Sequence, residues 1–240
     1  MTSYHFAMTL TALNRPSSLV ESVCEQLAAI IRGEKSAEDR WLPAERLLAE
    51  QLGVSRTVVR EATKRLEQQG MLEIQHGAGI KIVDKLHKPL NGALNTLVPN
   101  EKDRLAQLTE IRVALEPENA RYAAQRGSAA SLKALKACHE RFTSAESVEA
   151  QVQADMDFHC LLADASGNRI ASLLIQSLSE LLQASLTHGY NRVTKDQAVK
   201  DHSAVLAAVL KHDGDAAANA MRQHLLNARD DLGLKSTSRR

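Results

Sequence analysis

Residues 43–82 carry the pattern that most constrains the fold of this chain. The segment LPAERLLAEQLG is typical of a short helix that opens at Pro43 and ends at a glycine. A tight turn follows, and residues 56–69 then predict a second helix with Ser55 as its N-cap. Two alternating apolar runs around the glycine-rich HGAG predict a β-hairpin over residues 72–82. Two helices joined by a tight turn and followed by a hairpin are the layout of a winged helix-turn-helix.

The rest of the chain is helical in pattern. Apolar residues recur at helical spacing over residues 17–31, which adds a third helix in front of the helix-turn-helix. The predicted fold class is therefore mainly α. It consists of a winged helix-turn-helix (three helices plus a β-hairpin) over residues 15–84, a linker over residues 85–90, and an all-α helical bundle over residues 91–232.

Composition narrows the functional classes. The net charge of +1 provides no global basic field, so any contact with DNA must come from a local patch. Aromatic residues make up only 3% of the chain, which argues against nucleic-acid binding by base stacking. The three cysteines are far apart, as expected for reduced thiols. The chain has neither a signal-peptide pattern nor the roughly 20 apolar residues of a membrane span, so we expect a cytoplasmic protein with no membrane partner.

The predicted helix at residues 56–69 carries the candidate DNA-reading side chains. Arg56, Thr57 and Arg60 form its polar forward face, while apolar residues lie behind them. Arginine can bind guanine bidentately or neutralise a phosphate, and threonine can reach either group. The alternative is that both arginines are solvated charges paired with other surface groups on an amphipathic helix. The preceding helix and the following hairpin favour binding to double-stranded DNA.

A second candidate site lies in the stretch ADMDFHCLL. Asp155 and His159 are four residues apart, so both project from one face of a predicted helix. A carboxylate and an imidazole one turn apart suit a metal ion, and they equally suit a plain Asp–His hydrogen bond. His202 and His224 lie on later helices with apolar neighbours and can also face inward. The four side chains would suit Zn²⁺, Ni²⁺ or another first-row divalent ion, but spacing alone also allows ordinary core or surface histidines.

The stretch LPAERLLAEQLGVSRTVVREATKRLEQQGMLEIQHGAGIKIV resembles the DNA-binding domain of GntR-type bacterial transcription regulators. In that family arginines on the two helices contact the operator, and residues at the tip of the wing contact the minor groove. The resemblance implies a homodimer that binds a short palindromic operator in double-stranded DNA. The residues that correspond to the family's DNA-contacting positions are Arg46, Arg56, Arg60, His76 and Gly77. With Ser55 and Thr57, which lie at the start of the same predicted helix, they form the predicted DNA-binding set.

Three later stretches, EIRVALEPENARYAA, DMDFHCLLADASGN and DHSAVLAAVLKHDGDAAANAMRQHL, resemble the all-helical effector domain of the FadR-type GntR subfamily. Many members of that subfamily bind a divalent metal ion through an Asp-x-x-x-His pair and two later histidines. The resemblance implies Zn²⁺ as the preferred ion, with Ni²⁺ or Mn²⁺ as alternatives. The implied metal ligands are Asp155, His159, His202 and His224.

The resemblance also implies that Arg112 binds a carboxylate of the effector, since a guanidinium can hold a carboxylate bidentately. Glu116, one turn further on, could orient Arg112 or balance its charge. The alternative for Arg112 is a surface salt bridge with a neighbouring acidic residue.

The expected function is that of a transcription regulator, a repressor by family habit, which responds to a small organic acid and is not an enzyme. Members that bind fatty acyl-CoA lack the metal residues, so an acyl chain is the less favoured effector. One alternative is a metal-responsive or purely metal-stabilised regulator with no organic effector. Another is a metal-dependent hydrolase, although no obvious general base or nucleophile accompanies the four ligands.

Overall fold

The computed structural model describes residues 18–33, 41–75, 77–190 and 195–231. The chain divides into two compact units, residues 1–86 and residues 87–240. The described residues are mainly helical with one small sheet, which confirms the predicted fold class. Among them, no helix combines the length and the hydropathy needed to cross a membrane.

The part of the N-terminal unit that the structure describes contains three helices and three short strands. These are α1 (Leu19–Gly33), β1 (Trp41–Leu42), α2 (Glu45–Leu52), α3 (Arg56–Gln68), β2 (Leu72–Gln75) and β3 (Gly79–Ile82). The predicted hairpin is confirmed, because β2 and β3 pair antiparallel with Leu72 opposite Ile82. Strand β1 adds to the other edge of β3 and gives the sheet order β1-β3-β2. The sequence analysis missed β1, since two residues are too few to show strand alternation.

Helix α3 forms because its apolar residues recur at helical spacing and its start is capped. Val59, Ala62 and Leu66 are fully buried against α1 and the sheet. The Ser55 hydroxyl accepts a hydrogen bond of 3.3 Å from the backbone N–H of Val58, which confirms the predicted N-cap. The opposite face of α3 is left to solvent, and the candidate DNA-reading residues lie there.

The described residues of the C-terminal unit are almost all helical. The helices are α4 (Lys88–Leu97), α5 (Glu101–Arg126), α6 (Ala129–Ser144), α7 (Val148–Ala165), α8 (Arg169–Tyr190), α9 (Asp196–Leu210) and α10 (Gly214–Asp231). Helix α4 begins inside the stretch predicted as a linker, because Pro89 occupies its first turn, where proline is tolerated. Side chains of α5, α6, α7, α9 and α10 share one apolar core that includes Phe158, Val205 and Met221.

Gly70 lies in the turn between α3 and β2. Its φ is +78°, a left-handed conformation that glycine adopts without steric cost. A Cβ atom at this position would lie 2.0 Å from the carbonyl oxygen of Lys85. The Gly70 carbonyl in turn accepts a hydrogen bond of 2.8 Å from the Lys85 N–H. Only glycine lets the chain that follows β3 pass this close to the end of α3.

We expect Gly70→Ala to lower the free energy of unfolding of the N-terminal unit by about 2–5 kcal/mol, from left-handed strain plus the steric overlap. Gly53→Ala is the matched control, since Gly53 has φ +65° but open space around its missing Cβ. This control is expected to lose only about 1–2 kcal/mol. Urea unfolding followed by fluorescence of Trp41, the single tryptophan, reports this unit. Equal losses in the two variants would contradict the proposed close approach.

Candidate metal centre and nucleic-acid interface

The C-terminal unit brings together four side chains that are far apart in sequence. Helix α7 supplies Asp155 and His159, α9 supplies His202, and α10 supplies His224. All four are buried, and His202 is fully excluded from solvent. One ligand atom from each residue lies within 4.8 Å of the ligand atoms of the other three. The four residues predicted from sequence therefore form one buried cluster.

The spacing inside this cluster does not suit a network of hydrogen bonds alone. The Nε2 atom of His224 lies 3.2 Å from Nε2 of His202 and 3.3 Å from Nε2 of His159. An imidazole nitrogen carries either one hydrogen or one lone pair, so Nε2 of His224 can satisfy only one of these two neighbours. Nε2 of His202 also lies 3.4 Å from Oδ1 of Asp155. Whichever imidazole Nε2 of His224 pairs with, the other one is left without a directed hydrogen bond from it.

The same spacing fits a bound divalent cation. Ligand atoms held at about 2.0–2.1 Å by a tetrahedral ion lie roughly 3.3 Å apart, close to the nitrogen separations found here. Three imidazole nitrogens and one carboxylate oxygen are also the donor types that first-row divalent ions accept. The chemistry and the spacing of the residues therefore fit a metal ion.

The plain Asp–His hydrogen bond considered for Asp155 and His159 is not found among the described residues. Oδ1 of Asp155 accepts a hydrogen bond of 3.2 Å from the hydroxyl of Tyr190. His159 instead pairs through Nδ1 with Oε2 of Glu116 on α5. Both residues are thus held from outside the cluster.

Two carboxylates lie behind imidazoles of the cluster, and the sequence analysis did not predict these contacts. Glu116 contacts His159 through Oε2 and accepts a hydrogen bond from Nε of Arg112 through Oε1. Oδ2 of Asp201 lies 3.6 Å from Nδ1 of His224. The i, i+4 spacing of Arg112 and Glu116 is a readable signal, but the contact of Glu116 with α7 joins residues 43 positions apart. Nothing in the local sequence indicates that contact.

Burial and neighbouring charges set the protonation of the site. Burial alone would raise the pKa of Glu116, but Arg112 and His159 outweigh it and hold this pKa well below its usual range. Burial lowers the pKa of His202 well below its ordinary value, and the nearby imidazoles lower it further. Burial also lowers the pKa of His224. The carboxylate of Glu116 is thus ionised, and these two imidazoles are neutral, the form that coordinates metals.

Aromatic packing holds the ring of His202 in place. The ring of Phe158 stacks on it with centroids 4.2 Å apart and planes 10° from parallel. Phe142 packs against the same imidazole at a centroid distance of 5.0 Å. Among the described residues, Nδ1 of His202 has no hydrogen-bond partner, so this ring is positioned by packing and by the cluster itself.

Arg112 is buried rather than part of a surface salt bridge. Its Nε–H donates to Glu116, and among the described residues its terminal nitrogens have no hydrogen-bond partner. Asn119 lies seven residues further along α5, on the same face of the helix. It is also buried, and its Nδ2 has no partner among the described residues. This face of α5 therefore carries hydrogen-bond donors of Arg112 and Asn119 that no described residue uses. They lie on the same helix as Glu116, which contacts the cluster through His159.

The N-terminal unit places the main candidate DNA-contacting residues on one exposed face of α3. Arg56, Thr57 and Arg60 are all exposed, and the two arginines lie one turn apart. Among the described residues, no carboxylate lies within ion-pair distance of either arginine. Two other arginines are paired, Arg65 with Glu61 at 2.8 Å and Arg46 with Glu50 at 2.6 Å. The alternative of paired surface charges therefore describes Arg46 but not Arg56 and Arg60.

The remaining candidates lie at the cap of α3 and at the wing. The hydroxyl of Ser55 is exposed while it caps α3. Gly77 is exposed at the turn between β2 and β3, with φ +82°. His76, the other predicted wing residue, lies outside the described residues.

Comparison with known proteins relates both units to one class of regulator. Residues 19–82 match the family described as bacterial regulatory proteins of the gntR family, and residues 107–227 match the FCD domain. The Uxu operon transcriptional regulator of Escherichia coli is 31% identical over 236 residues, covering 92% of this chain and 88% of the relative. The Glc operon transcriptional activator of Escherichia coli is 28% identical over 225 residues, covering 89% of each chain.

A solved structure agrees with this relationship. The structure of Streptococcus agalactiae GntR superimposes with a TM-score of 0.71 at 27% identity, covering 88% of this chain and 99% of that chain. The relatives are regulators of transcription and not enzymes. This chain therefore belongs to the GntR family of DNA-binding transcription regulators and carries a C-terminal FCD domain.

Proposed function

We propose that this regulator is a cytoplasmic homodimer that binds a short palindromic operator and responds to a small carboxylate held beside a divalent metal ion. The observation that carries the proposal is the buried cluster of Asp155, His159, His202 and His224, linked through Glu116 to Arg112. A structural role for the metal alone would not require an arginine with unused terminal nitrogens next to the site.

The chemical class of the ligand is inferred from the hydrogen-bond donors that lie beside the cluster. The terminal nitrogens of Arg112 can hold one carboxylate bidentately, because the planar guanidinium matches the two carboxylate oxygens. The Nδ2 of Asn119 is a further donor on the same helix face. When bound, the ion would act as a Lewis acid toward a ligand oxygen, with Zn²⁺ preferred and Ni²⁺ or Mn²⁺ as alternatives. The ligand class is therefore a small organic acid that has a second oxygen to offer.

On DNA, α3 of each subunit would enter a major groove with Arg56, Thr57 and Arg60 forward. Arg46 would exchange Glu50 for a phosphate, while Ser55 and the wing residues His76 and Gly77 would contact the backbone or the minor groove. A two-fold dimer requires an operator with matching symmetry. The effector can change operator binding only if its affinity differs between the DNA-binding and the released states. Repression stays a prediction, since one relative is an activator by name.

For DNA binding, we expect Arg60→Ala to weaken operator affinity by about 5–150-fold, corresponding to roughly 1–3 kcal/mol for a base contact. The measurement is fluorescence anisotropy on a duplex selected from a random library by the wild-type protein. Arg32→Ala is the control, because Arg32 is an exposed arginine of the same unit that lies on α1. Equal affinities for wild type and Arg60→Ala would remove Arg60 from the DNA interface.

For metal binding, we expect wild-type protein to bind one Zn²⁺ per chain after chelator treatment, measured by calorimetry and elemental analysis. Asp155→Asn keeps the shape of the side chain but removes the anionic ligand, so we expect at least about tenfold weaker binding. His202→Ala should lose the effector response and keep its operator affinity without effector. His139→Gln is the control, because His139 hydrogen-bonds Ser203 outside the cluster. Wild-type occupancy and affinity in Asp155→Asn would contradict the assigned ligand set.

For effector binding, we expect a small carboxylate from a panel of hydroxy acids, sugar acids, dicarboxylates and tricarboxylates to raise the melting temperature of the zinc-loaded protein. Saturation at about 100 times Kd adds roughly 2.7 kcal/mol of stability. Arg112→Lys should keep zinc and lose this shift, because lysine cannot bind a carboxylate bidentately. Arg121→Lys is the control on the same helix, where Arg121 pairs with Glu118.

If no carboxylate stabilises the wild type while EDTA strongly destabilises it, the organic-acid part of the proposal is wrong. The metal would then be structural or would itself be the signal.

A further inference from the structure

Glu116 contacts the two halves of the proposed ligand site at once. It lies on α5, is 1% exposed, and uses a different oxygen for each partner. Oε1 accepts a hydrogen bond from Nε of Arg112, and Oε2 pairs with Nδ1 of His159 on α7. Among the described residues, Glu116 alone forms a hydrogen bond or ion pair with both Arg112 and a member of the cluster.

We propose that Glu116 is a positioning residue that sets the tautomer of His159 and the orientation of Arg112 together. This inference rests on the proposed metal and carboxylate site. It explains how the metal cluster and the carboxylate-binding arginine are held in one arrangement. Glu116 is ion-paired with the permanently charged guanidinium of Arg112, and a carboxylate in such a pair can only accept hydrogen bonds. His159 must therefore place its proton on Nδ1, which leaves the Nε2 lone pair facing the cluster.

The same carboxylate determines which edge of Arg112 is free. Because Nε–H is used by Glu116, the guanidinium plane is held and its terminal nitrogens are left for another acceptor. Arginine is charged at any physiological pH, so this hydrogen bond always runs from Arg112 to Glu116. A carboxylate is the one side-chain group that can accept from both partners through two equivalent oxygens.

Glutamine cannot replace Glu116 in this role. Its amide has one accepting oxygen and one donating nitrogen. If the oxygen accepts from Arg112, the amide N–H faces Nδ1 of His159, and the His159 proton is driven to Nε2, where a metal would bind. If the oxygen accepts from His159, the amide N–H faces the Nε–H of Arg112. Either choice disrupts one of the two alignments.

Asp201 provides a matched comparison in the same site. Its Oδ2 lies 3.6 Å from Nδ1 of His224, and it also accepts hydrogen bonds from Gln197 and Asn227 at 2.8 Å each. It therefore carries a negative charge behind another imidazole of the cluster, with a longer contact and other donors to satisfy. Replacing it with asparagine removes a similar charge without breaking a close carboxylate–imidazole pair.

The test uses the full-length protein and Zn²⁺ alone as the probe. First, ¹⁵N spectra of the histidine side chains in the metal-free wild type should show His159 protonated on Nδ1, with assignment by loss of its signals in His159→Gln. Second, Zn²⁺ affinity is measured by competition with a chromophoric chelator. Glu116→Gln should bind Zn²⁺ about 10–100-fold more weakly, the usual effect of losing a carboxylate behind a metal-bound histidine. Asp201→Asn should lose less.

Protonation of His159 on Nε2 in the wild type would overturn the inference without any variant having to fold. Wild-type Zn²⁺ affinity in Glu116→Gln, or an equal loss in Glu116→Gln and Asp201→Asn, would overturn it as well. If the wild type itself bound no Zn²⁺, the proposed metal function would fail. The tautomer measured in the metal-free protein would still decide the positioning of His159 by Glu116.

Discussion

The C-terminal unit depends on how three imidazoles and one carboxylate are accommodated in a buried core. Polar groups removed from water destabilise a fold unless they find partners. Here the Nε2 atom of His224 has two imidazole neighbours and can satisfy one of them as a hydrogen-bond partner. A cation resolves this conflict, because each lone pair then points at the same positive charge. Helices α7, α9 and α10 pack around this point and bury an Asp/His cluster whose donors and spacing fit a divalent cation.

Residues outside the cluster orient the side chains inside it. Tyr190 holds Asp155, Phe158 holds the ring of His202, and Glu116 holds His159. These three members of the cluster are thus oriented by contacts from outside it, the arrangement usual for residues that bind metals. Glu116 differs from the other two because it also holds Arg112. One side chain on α5 is thereby tied both to Arg112 on the same helix and to His159 on α7.

The N-terminal unit achieves DNA recognition in a chain that carries almost no net charge. With a net charge of +1, long-range attraction to DNA is weak, so the local arrangement of arginines matters more. Arg56 and Arg60 have no acidic partner among the described residues, whereas Arg46 and Arg65 are paired with glutamates. The positive charge available to a phosphate or a base is therefore concentrated at the start of α3, where a helix entering the major groove makes its contacts.

Local sequence determined the features that arise within about one helical turn or one hairpin. The Ser55 cap, the glycine-bounded turn, the β2–β3 hairpin and the shared face of Asp155 and His159 all follow from residues close together in the chain. Apolar neighbours at helical spacing also singled out His202 and His224 as candidate ligands. Resemblance to a family then supported the set of four and added Arg112 as the expected effector-binding residue. Short elements were not predicted. Strand β1 has only two residues, and the first turn of α4 contains a proline, so neither shows a clear periodic pattern.

Only the tertiary structure decided which distant groups meet. The pairing of Glu116 with His159, the approach of Asp201 to His224 and the stacking of Phe158 on His202 depend on how helices pack side by side. Periodicity tells which face of a helix is buried, but it does not tell which residue of another helix lies opposite that face. The four members of the cluster were thus predicted from the sequence, whereas the hydrogen bonds that orient them come from packing.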